Sequence, residues 1–302
     1  MKTFVLKIAA FAGINALVFL AWYGWLYFKE SPCPIDESVS CVHMMSGRQH
    51  YDVLVLGTSH GKSLSVNGNQ QRVERILGRT MINLSKTGGA GPLWAKIYLS
   101  LFYQYRNAAD TIVYFIDPWV FAASDWNEDL CAVLMHEEPF RFRLLAKALV
   151  NRVSTKCLVP YVRAYLLGDW DFDRCDTRGA DDHYLTGVDE FAVNERIGVL
   201  YPGDGPREIK DAYWEDLSRV VQIGNRHGAR TILILPPTLL GDMELMDELK
   251  RKLAVFTREN DIQWYDYARA ITDPALYTDH DHLNSRGIEV FAEHYVKPIL
   301  ER

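Results

Sequence analysis

The sequence predicts an α/β fold with three layers, in which a five-stranded, mainly parallel sheet carries helices on both faces. Two observations predict it. Short, continuous apolar runs alternate with longer amphipathic runs from residue 51 onwards, as expected for strands that are buried on both faces. Several of the apolar runs end at glycine or at a polar residue, as strands do before a turn. We also expect an N-terminal transmembrane helix and an insertion after the third strand.

An apolar segment near the N-terminus, residues 8–28, is the predicted transmembrane helix. It reads IAAFAGINALVFLAWYGWLYF and contains no charged residue. Such a helix spans roughly 31 Å, close to the hydrocarbon thickness of a bilayer, and its aromatic end suits the headgroup region. A cleaved signal peptide and a buried helix of a soluble protein are the alternatives. A small excess of lysine before the segment predicts that the N-terminus lies inside and the main domain outside.

We expect the anchor to occupy residues 1–30, a linker residues 31–50 and one domain residues 51–302. The predicted strands are 51–57, 80–85, 111–117, 229–237 and 262–268, and the predicted helices are 92–105, 213–228, 243–260 and 285–300. Residues 119–210 interrupt the alternation and are rich in aromatic side chains, which predicts an insertion or cap over the sheet edge. The acidic run at 169–182 resembles half of a calcium loop, but it lacks the glycine and final glutamate of such loops, which favours a solvated loop.

The composition is that of a globular protein, because 48% of the 302 residues are hydrophobic and 24% are charged. A net charge of -6 with scattered basic residues argues against a nucleic-acid partner. The cysteines form no Cys-x-x-Cys pair or Cys/His cluster, so the sequence predicts neither a metal nor a cofactor. In an oxidising compartment two bridges are conceivable: Cys33 with Cys41, and Cys157 with Cys175, which leaves Cys131 over.

A glycine-rich turn follows the first predicted strand, in the segment VLVLGTSHGKS at 53–63. A phosphate-binding P-loop has four residues between its glycines, whereas Gly57 and Gly61 are separated by three. The pattern G-x-S-x-G also matches the nucleophile elbow of α/β-hydrolases literally. In that fold, however, several strands precede the elbow, and here Ser59 follows the first strand of the domain.

The far end of the chain offers a partner for this serine. Asp279 and His282 lie three residues apart in one predicted loop before the last helix. A serine nucleophile needs a base to accept its proton and a carboxylate to orient that base. We therefore predict that Ser59 is the nucleophile, His282 the base and Asp279 the orienting carboxylate. Asp281 is a rival for the orienting role. His280 is expected to be exposed, and Asp266 to be a structural residue at a strand end.

The order of these motifs along the strands resembles that of the SGNH (GDSL-type) hydrolase superfamily. In that superfamily a serine follows the first strand, a glycine the second and a polar residue the third, and Asp-x-x-His precedes the last helix. The resemblance implies an oxyanion hole formed by the backbone N–H groups of Ser59 and Gly88, each contributing on the order of 3 kcal/mol. Gly89 is the alternative to Gly88 if the register of the loop differs by one residue.

One position departs from the superfamily, which usually has an asparagine after the third strand as a further oxyanion donor. This chain has Asp117-Pro118-Trp119 there. An ionised carboxylate cannot donate a hydrogen bond, so either Asp117 anchors the loop or the acceptor, or the hole has only two donors. The possible pocket residues are His60, Gly89, Asp117 and Trp119, although a structural hydrogen bond is an equal alternative for His60.

A domain of this kind behind one N-terminal helix is similar to bacterial O-acyltransferases that modify exported polysaccharides, peptidoglycan or teichoic acids. The resemblance implies a periplasmic or extracytoplasmic domain on the bacterial cytoplasmic membrane, an acyl donor delivered by a polytopic membrane-bound O-acyltransferase, and a glycan hydroxyl as the acceptor. A membrane-tethered esterase or deacetylase would use the same residues, and a non-catalytic partner subunit is a third possibility. The aromatic insertion would either stack on sugars or pack as a cap.

Overall fold

Five parallel strands form the centre of the fold. The computed structural model describes residues 2–28, 38–88, 91–123, 131–167, 183–202, 207–241 and 243–302. The strands are β1 His50–Leu56, β2 Met81–Asn83, β3 Ala108–Phe115, β4 Arg230–Leu235 and β5 Gln263–Asp266. They form one sheet in the order β2-β1-β3-β4-β5, and every neighbouring pair is parallel. The predicted fold class is confirmed, and all five predicted strands are present.

Thirteen α-helices are present among the described residues. They are α1 Lys2–Phe28, α2 Cys41–Met44, α3 Ser59–Lys62, α4 Asn69–Leu77, α5 Pro92–Gln104, α6 Cys131–His136, α7 Phe142–Val150, α8 Thr155–Leu167, α9 Glu190–Leu200, α10 Asp211–Arg226, α11 Met246–Asn260, α12 Ser285–Phe291 and α13 Lys297–Leu300. The last predicted helix is thus divided, and a π-helical segment at Ala292–Val296 joins its two α-helical parts. The sequence analysis did not predict α4, because only three of its nine residues are hydrophobic.

The carboxyl-terminal halves of β1, β3 and β4 are apolar and buried because both faces of the sheet are covered. Along β1, Leu54 and Leu56 point into a core shared with α5, α10, α11 and the insertion. Val53 and Val55 point into a second core, shared with α4, α12 and α13. Successive side chains of a strand point to opposite faces, so the unbroken apolar run of β1 supplies both cores. The sheet therefore holds its carboxyl ends, where the predicted site residues lie, in a rigid three-layer frame.

The N-terminal helix α1 stands apart from both cores for most of its length. Lys2–Trp25 is long and apolar enough to cross a membrane: the mean hydropathy of its most apolar 18 residues is 2.1, and none of these residues is buried. The alternative of a buried helix in a soluble protein is therefore wrong. A membrane anchor and a signal sequence both have this composition. Only the aromatic end of α1 packs on the domain, where Tyr23 contacts Phe140 and Tyr165.

The insertion after β3 contains α6 to α9, and a disulfide between Cys131 and Cys157 crosslinks α6 to α8, with 5.5 Å between the two Cα atoms. The expected pairing of Cys157 with Cys175 is therefore wrong, because the packing of α6 on α8 sets Cys131 opposite Cys157. Cys41 is a buried free thiol, so its expected bridge to Cys33 is also absent. Burial raises the pKa of the Cys41 thiol to about 12. Cys33, Cys175 and the acidic run at 169–182 lie outside the described residues.

The aromatic side chains of the insertion mostly pack against one another. Phe140 stacks on Tyr161 and Tyr165 with ring centroids 5.4 and 4.4 Å apart, and all three are buried. These rings are therefore part of a cap core and not a surface for sugars. Trp126 and Trp170 lie outside the described residues.

Tight packing at the start of α12 fixes the loop that carries Asp279 and His282. The Asn284 side chain accepts a hydrogen bond from the backbone N–H of Gly287 at 2.9 Å and so caps the helix. A Cβ atom at Gly287 would collide with the backbone carbonyl of Leu276. The loop can therefore close on the helix only if residue 287 has no side chain.

We expect Gly287→Ala to destabilise the protein by about 2–5 kcal/mol, because backbone must move to accept the methyl group. Thermal unfolding of the full-length protein in detergent should show a clear decrease in Tm. The matched control is Gly198→Ala in α9, where an added Cβ meets no atom within 4 Å and alanine favours the helix. A Tm for Gly287→Ala equal to that of Gly198→Ala would contradict this packing argument.

Candidate active site

The glycine-rich turn after β1 places Ser59 at the carboxyl end of the sheet. Gly57 has a φ of +139°, and a Cβ atom there would lie 2.8 Å from the Cβ of Phe115 on β3. Gly61 is packed against Ser85 in the loop after β2. The two glycines are thus required by close packing against neighbouring elements. Between them, Ser59 begins the short helix α3 and projects into a surface cleft.

Ser59, His282 and Asp279 form one chain of hydrogen bonds. The Ser59 Oγ lies 2.8 Å from His282 Nε2, and His282 Nδ1 lies 2.9 Å from Asp279 Oδ2. In this arrangement the hydroxyl donates to Nε2, and Nδ1–H donates to the carboxylate. The chain joins residues that are 223 positions apart in the sequence. This is the geometry in which an imidazole accepts a serine proton while a carboxylate holds its tautomer.

Asp279 is held as a carboxylate by its own loop. Its Oδ1 accepts the backbone N–H groups of Asp281 at 2.7 Å and His282 at 2.8 Å. Partial burial raises the pKa of Asp279, but the hydrogen bonds and charge interaction with His282 and the backbone N–H donors outweigh it, so the pKa is lowered. The loop therefore fixes both the charge of Asp279 and the direction of the His282 ring.

A second, buried set of charges lies behind this chain. His60 Nδ1 lies 2.6 Å from Asp117 Oδ1, and His60 Nε2 lies 2.8 Å from the Asp281 carbonyl oxygen and 3.3 Å from its Oδ1. Both ring nitrogens of His60 face acceptors only, so both carry protons and the ring is an imidazolium. Asp117 also accepts a hydrogen bond from the Thr58 hydroxyl. His60, Asp117 and Asp281 are all buried.

The charges of this cluster shift the pKa values of its members. Burial lowers the pKa of His60, but the two carboxylates outweigh burial, so that the pKa lies well above its usual range. Burial raises the pKa of Asp281, but His60, His282 and Arg196 outweigh it and hold the pKa below its usual range. Arg196 of α9 donates from Nε and Nη2 to Asp281 Oδ2 at 3.1 and 2.8 Å.

These positions answer the questions that the sequence left open. Asp117 anchors the turn through Thr58 and His60, and neither Asp117 nor His60 is among the residues that line the cleft. Both residues therefore support the turn, which agrees with the alternatives of a structural hydrogen bond for His60 and loop anchoring for Asp117. The Asp281 carboxylate lies 3.8 Å from His282 Nε2 and pairs instead with His60 and Arg196, so it does not orient the His282 Nδ1–H.

Two further expectations concern residues near the site. His280 was expected to be exposed, but it is 8% exposed, and its Nε2 accepts the backbone N–H of Asp189 at 2.9 Å. The insertion covers it, which the sequence could not show. Asp266 accepts the backbone N–H of Ala268 at 3.1 Å and pairs with Lys250 at 2.8 Å, as expected for a structural residue at a strand end.

The cleft over Ser59 and His282 has a volume of about 380 Å³. Gly88 and Trp119 line it, as the sequence analysis expected, whereas Gly89 lies outside the described residues. Most of the other lining side chains carry a hydroxyl or an amide: Thr58, Ser63, Asn67, Asn69, Thr87, Thr278 and Ser285. Among the described lining residues, Arg196 is the only arginine or lysine, and there is no aspartate or glutamate. The positions of Asn67, Asn69 and Arg196 in the cleft could not be predicted, because no sequence motif marks these residues.

A buried ion cluster fixes the loop that carries Gly88. Lys86 Nζ lies 2.9 Å from Glu137 Oε2, 3.1 Å from Glu138 Oε1 and 2.6 Å from the Val39 carbonyl oxygen. Glu138 also accepts the Ser40 hydroxyl at 2.7 Å. The cluster therefore ties the loop after β2 to the insertion and to the segment before β1. Burial lowers the pKa of Lys86, but the two glutamates outweigh it and raise the pKa.

The side chains of His60, Asp281 and His282 also lie close enough to share a metal ion, since one ligand atom of each lies within 4.8 Å of the others. Hydrogen bonds and ion pairs within the protein already involve these side chains. His60 pairs with Asp117 and Asp281, and His282 pairs with Ser59 and Asp279. Protons in ordinary acid–base pairs therefore account for the cluster.

No family model matches the sequence, and no curated protein matches it significantly. Among solved structures, a protein from Bacteroides fragilis that is provisionally described as an acylhydrolase shows a TM-score of 0.44 and 11% identity, with 84% of this chain and 86% of that chain covered. A GDSL-like lipase from Bacteroides thetaiotaomicron shows a TM-score of 0.42 and 9% identity, with 94% and 97% covered. Both similarities are low. The fold is therefore defined by the strand order β2-β1-β3-β4-β5 of the parallel sheet.

We expect Ser59→Ala, His282→Ala and Asp279→Asn to lower kcat/KM for hydrolysis of p-nitrophenyl acetate, the first two by about 10³-fold or more. Each variant removes one link of the hydrogen-bonded chain. The matched control is Ser218→Ala, because the Ser218 hydroxyl donates to the Trp214 carbonyl oxygen on α10 and Ser218 does not line the cleft. If Ser59→Ala kept the rate of Ser218→Ala, Ser59 would not be the nucleophile.

The raised pKa of His60 predicts a pH-dependent stability. The folded state keeps a proton that the unfolded state releases above its pKa of about 6.5, so this contribution is complete below that pH and decreases by about 1.4 kcal/mol per pH unit above it. It is lost once the pH exceeds the folded-state pKa. Denaturant unfolding of the wild type and His60→Gln between about pH 6 and 9 should show the steeper decrease for the wild type. Parallel curves would mean that His60 is not an imidazolium in the folded protein.

Proposed function

We propose that this protein is a serine-dependent acyl-transfer enzyme of the SGNH type. One observation carries the proposal: an uninterrupted hydrogen-bonded chain from Ser59 through His282 to Asp279 opens into a cleft of about 380 Å³. The position of each residue at the carboxyl edge of the parallel sheet agrees with the usual place of ligand sites in such folds.

The reaction proceeds in two steps on Ser59. His282 Nε2 accepts the hydroxyl proton while Ser59 Oγ attacks the carbonyl carbon of the donor ester, and Asp279 stabilises the imidazolium that forms. The backbone N–H groups of Ser59 and Gly88 stabilise the oxyanion. The donor's alkoxide takes the proton from His282 and leaves, and the acyl group remains on Ser59. An acceptor hydroxyl then gives its proton to His282, attacks the acyl group and releases Ser59 with its proton restored.

We propose a hydroxyl of a cell-envelope or exported polysaccharide as the acceptor and an acetyl group as the acyl group. The hydroxyl and amide side chains of the cleft lining support a polyhydroxylated acceptor, since such side chains can exchange hydrogen bonds with sugar hydroxyls. The Cys131–Cys157 disulfide supports an oxidising, extracytoplasmic compartment. In this proposal α1 is an uncleaved anchor in the bacterial cytoplasmic membrane, and a polytopic membrane-bound O-acyltransferase supplies the acyl donor.

A partition experiment tests this function. Full-length protein in detergent receives a labelled acetyl ester, with and without a soluble polysaccharide that carries free hydroxyls, and the label in free acetate and in polysaccharide is counted. We expect label to move to the polysaccharide at the expense of acetate, and Ser59→Ala to lose both products.

Three outcomes separate the alternatives. Acetate as the main product in the presence of each acceptor tested would identify an esterase or deacetylase. Transfer that survives Ser59→Ala would contradict the acyl-serine intermediate. Full cellular function of Ser59→Ala would point to a non-catalytic partner subunit.

A further inference from the structure

The last turns of α1 pack against two helices of the insertion, α7 and α8, called here the cap hairpin (residues 141–167). The ring of Phe19 lies 6.1 Å from that of Tyr165, Trp22 Nε1 donates to the Tyr165 carbonyl oxygen at 3.4 Å, and the Tyr23 ring lies 5.1 Å from that of Phe142. The start of α7 and the end of α8 therefore both meet α1.

These contacts lie inside the apolar stretch of α1. Phe19 precedes Trp25, where that stretch ends, by six residues, which corresponds to about 9 Å along the helix. If α1 spans a bilayer, Trp25 lies at the surface of the apolar layer and Phe19 lies deeper. The part of the hairpin beside Phe19 is then at the depth of the apolar layer. The hairpin then meets the headgroup region and the adjoining acyl chains.

The charge of the cap hairpin suits such a position. Its segment carries six basic residues and no acidic residue, although the whole chain has a net charge of -6. The basic residues are Arg141, Arg143, Lys147, Arg152, Lys156 and Arg163. Basic residues close to a membrane are attracted by anionic headgroups.

The hairpin also exposes large apolar side chains at its end beside α1. Phe142 is 50% exposed, Leu166 59% and Leu167 66%. A helical surface that combines exposed apolar residues with basic ones is typical of elements that lie in the membrane interface. Exposure of this kind in water would be unfavourable.

We propose that the cap hairpin is a second membrane-contacting element, which inserts Phe142, Leu166 and Leu167 among the acyl chains and places its basic residues on anionic phospholipid headgroups. The proposal rests on the membrane-spanning role of α1. Since Arg196 and Leu200 of the same insertion line the cleft, docking of the hairpin would fix the orientation of the cleft relative to the membrane surface.

Photocrosslinking tests this contact. The full-length protein is reconstituted in nanodiscs of phosphatidylcholine and phosphatidylglycerol, with p-benzoylphenylalanine in place of one residue at a time: Leu166 in the hairpin, Leu17 in α1, and Val255 in α11. Leu17 and Val255 are both exposed and serve as the lipid-facing and water-facing controls. We expect phospholipid adducts at Leu166 and Leu17 and none at Val255.

The controls separate the two proposals. Adducts at Leu17 without adducts at Leu166 would overturn the role of the hairpin and leave the anchor intact. Absence of adducts at Leu17 would overturn the anchor and the hairpin contact together. In native membranes, a protein adduct in place of a lipid adduct at Leu166 would also overturn the proposal, since it would make the hairpin a protein interface.

Charge reversal tests the anionic partner. Arg143→Glu with Arg163→Glu should lower the lipid adduct at Leu166 by at least about fivefold in the mixed nanodiscs. Reversal of two exposed basic residues elsewhere, Arg226→Glu with Arg258→Glu, should leave the adduct unchanged. An adduct at Leu166 that is insensitive to Arg143→Glu with Arg163→Glu would overturn the recognition of anionic headgroups.

Discussion

The candidate active site depends on one buried interaction, the His60 imidazolium between Asp117 and Asp281. His60 belongs to the turn after β1, Asp117 follows β3, and Asp281 belongs to the loop before α12. Because His60 adjoins Ser59 and Asp281 adjoins His282, pairing of His60 with Asp281 brings Ser59 and His282 together from opposite ends of the domain. Charges in a protein interior are stable only when paired. The ion pairs of His60 with Asp117 and Asp281 therefore fix the three loops that carry these residues.

This interaction also explains the unusual Asp117. An open carboxylate beside Ser59 would repel an oxyanion, but Asp117 is fully buried and is neutralised by His60 and the Thr58 hydroxyl. Asp117 holds the turn that carries Ser59 against the end of β3. A second buried cluster around Lys86 does the same for the loop that carries Gly88. The walls of the cleft are thus fixed by ion pairs whose partners come from distant parts of the chain, and removal of one partner leaves an unpaired buried charge.

The strands and the proximity of Ser59, His282 and Asp279 could be predicted from the sequence because their signals are local. The apolar runs of β1 and β3 are unbroken, Gly57 and Gly61 mark the tight turn, and Asp279 and His282 lie in one short loop. The burial of His280, the Cys131–Cys157 disulfide and the cleft position of Arg196 could not be predicted. Each depends on how the insertion folds back over the sheet edge, and the aromatic composition of the insertion does not specify that packing. The amphipathic α4 was missed because its apolar face is narrow.

The central claim is that Ser59 is a nucleophile activated by its hydrogen bond to His282. Reaction with a fluorophosphonate, followed by peptide mass spectrometry, measures this most directly because the reagent bonds covalently to activated serines. The account predicts a single adduct, located on Ser59, that disappears when His282 is replaced by alanine. An unmodified Ser59, or an adduct that forms equally well without the imidazole, would contradict it.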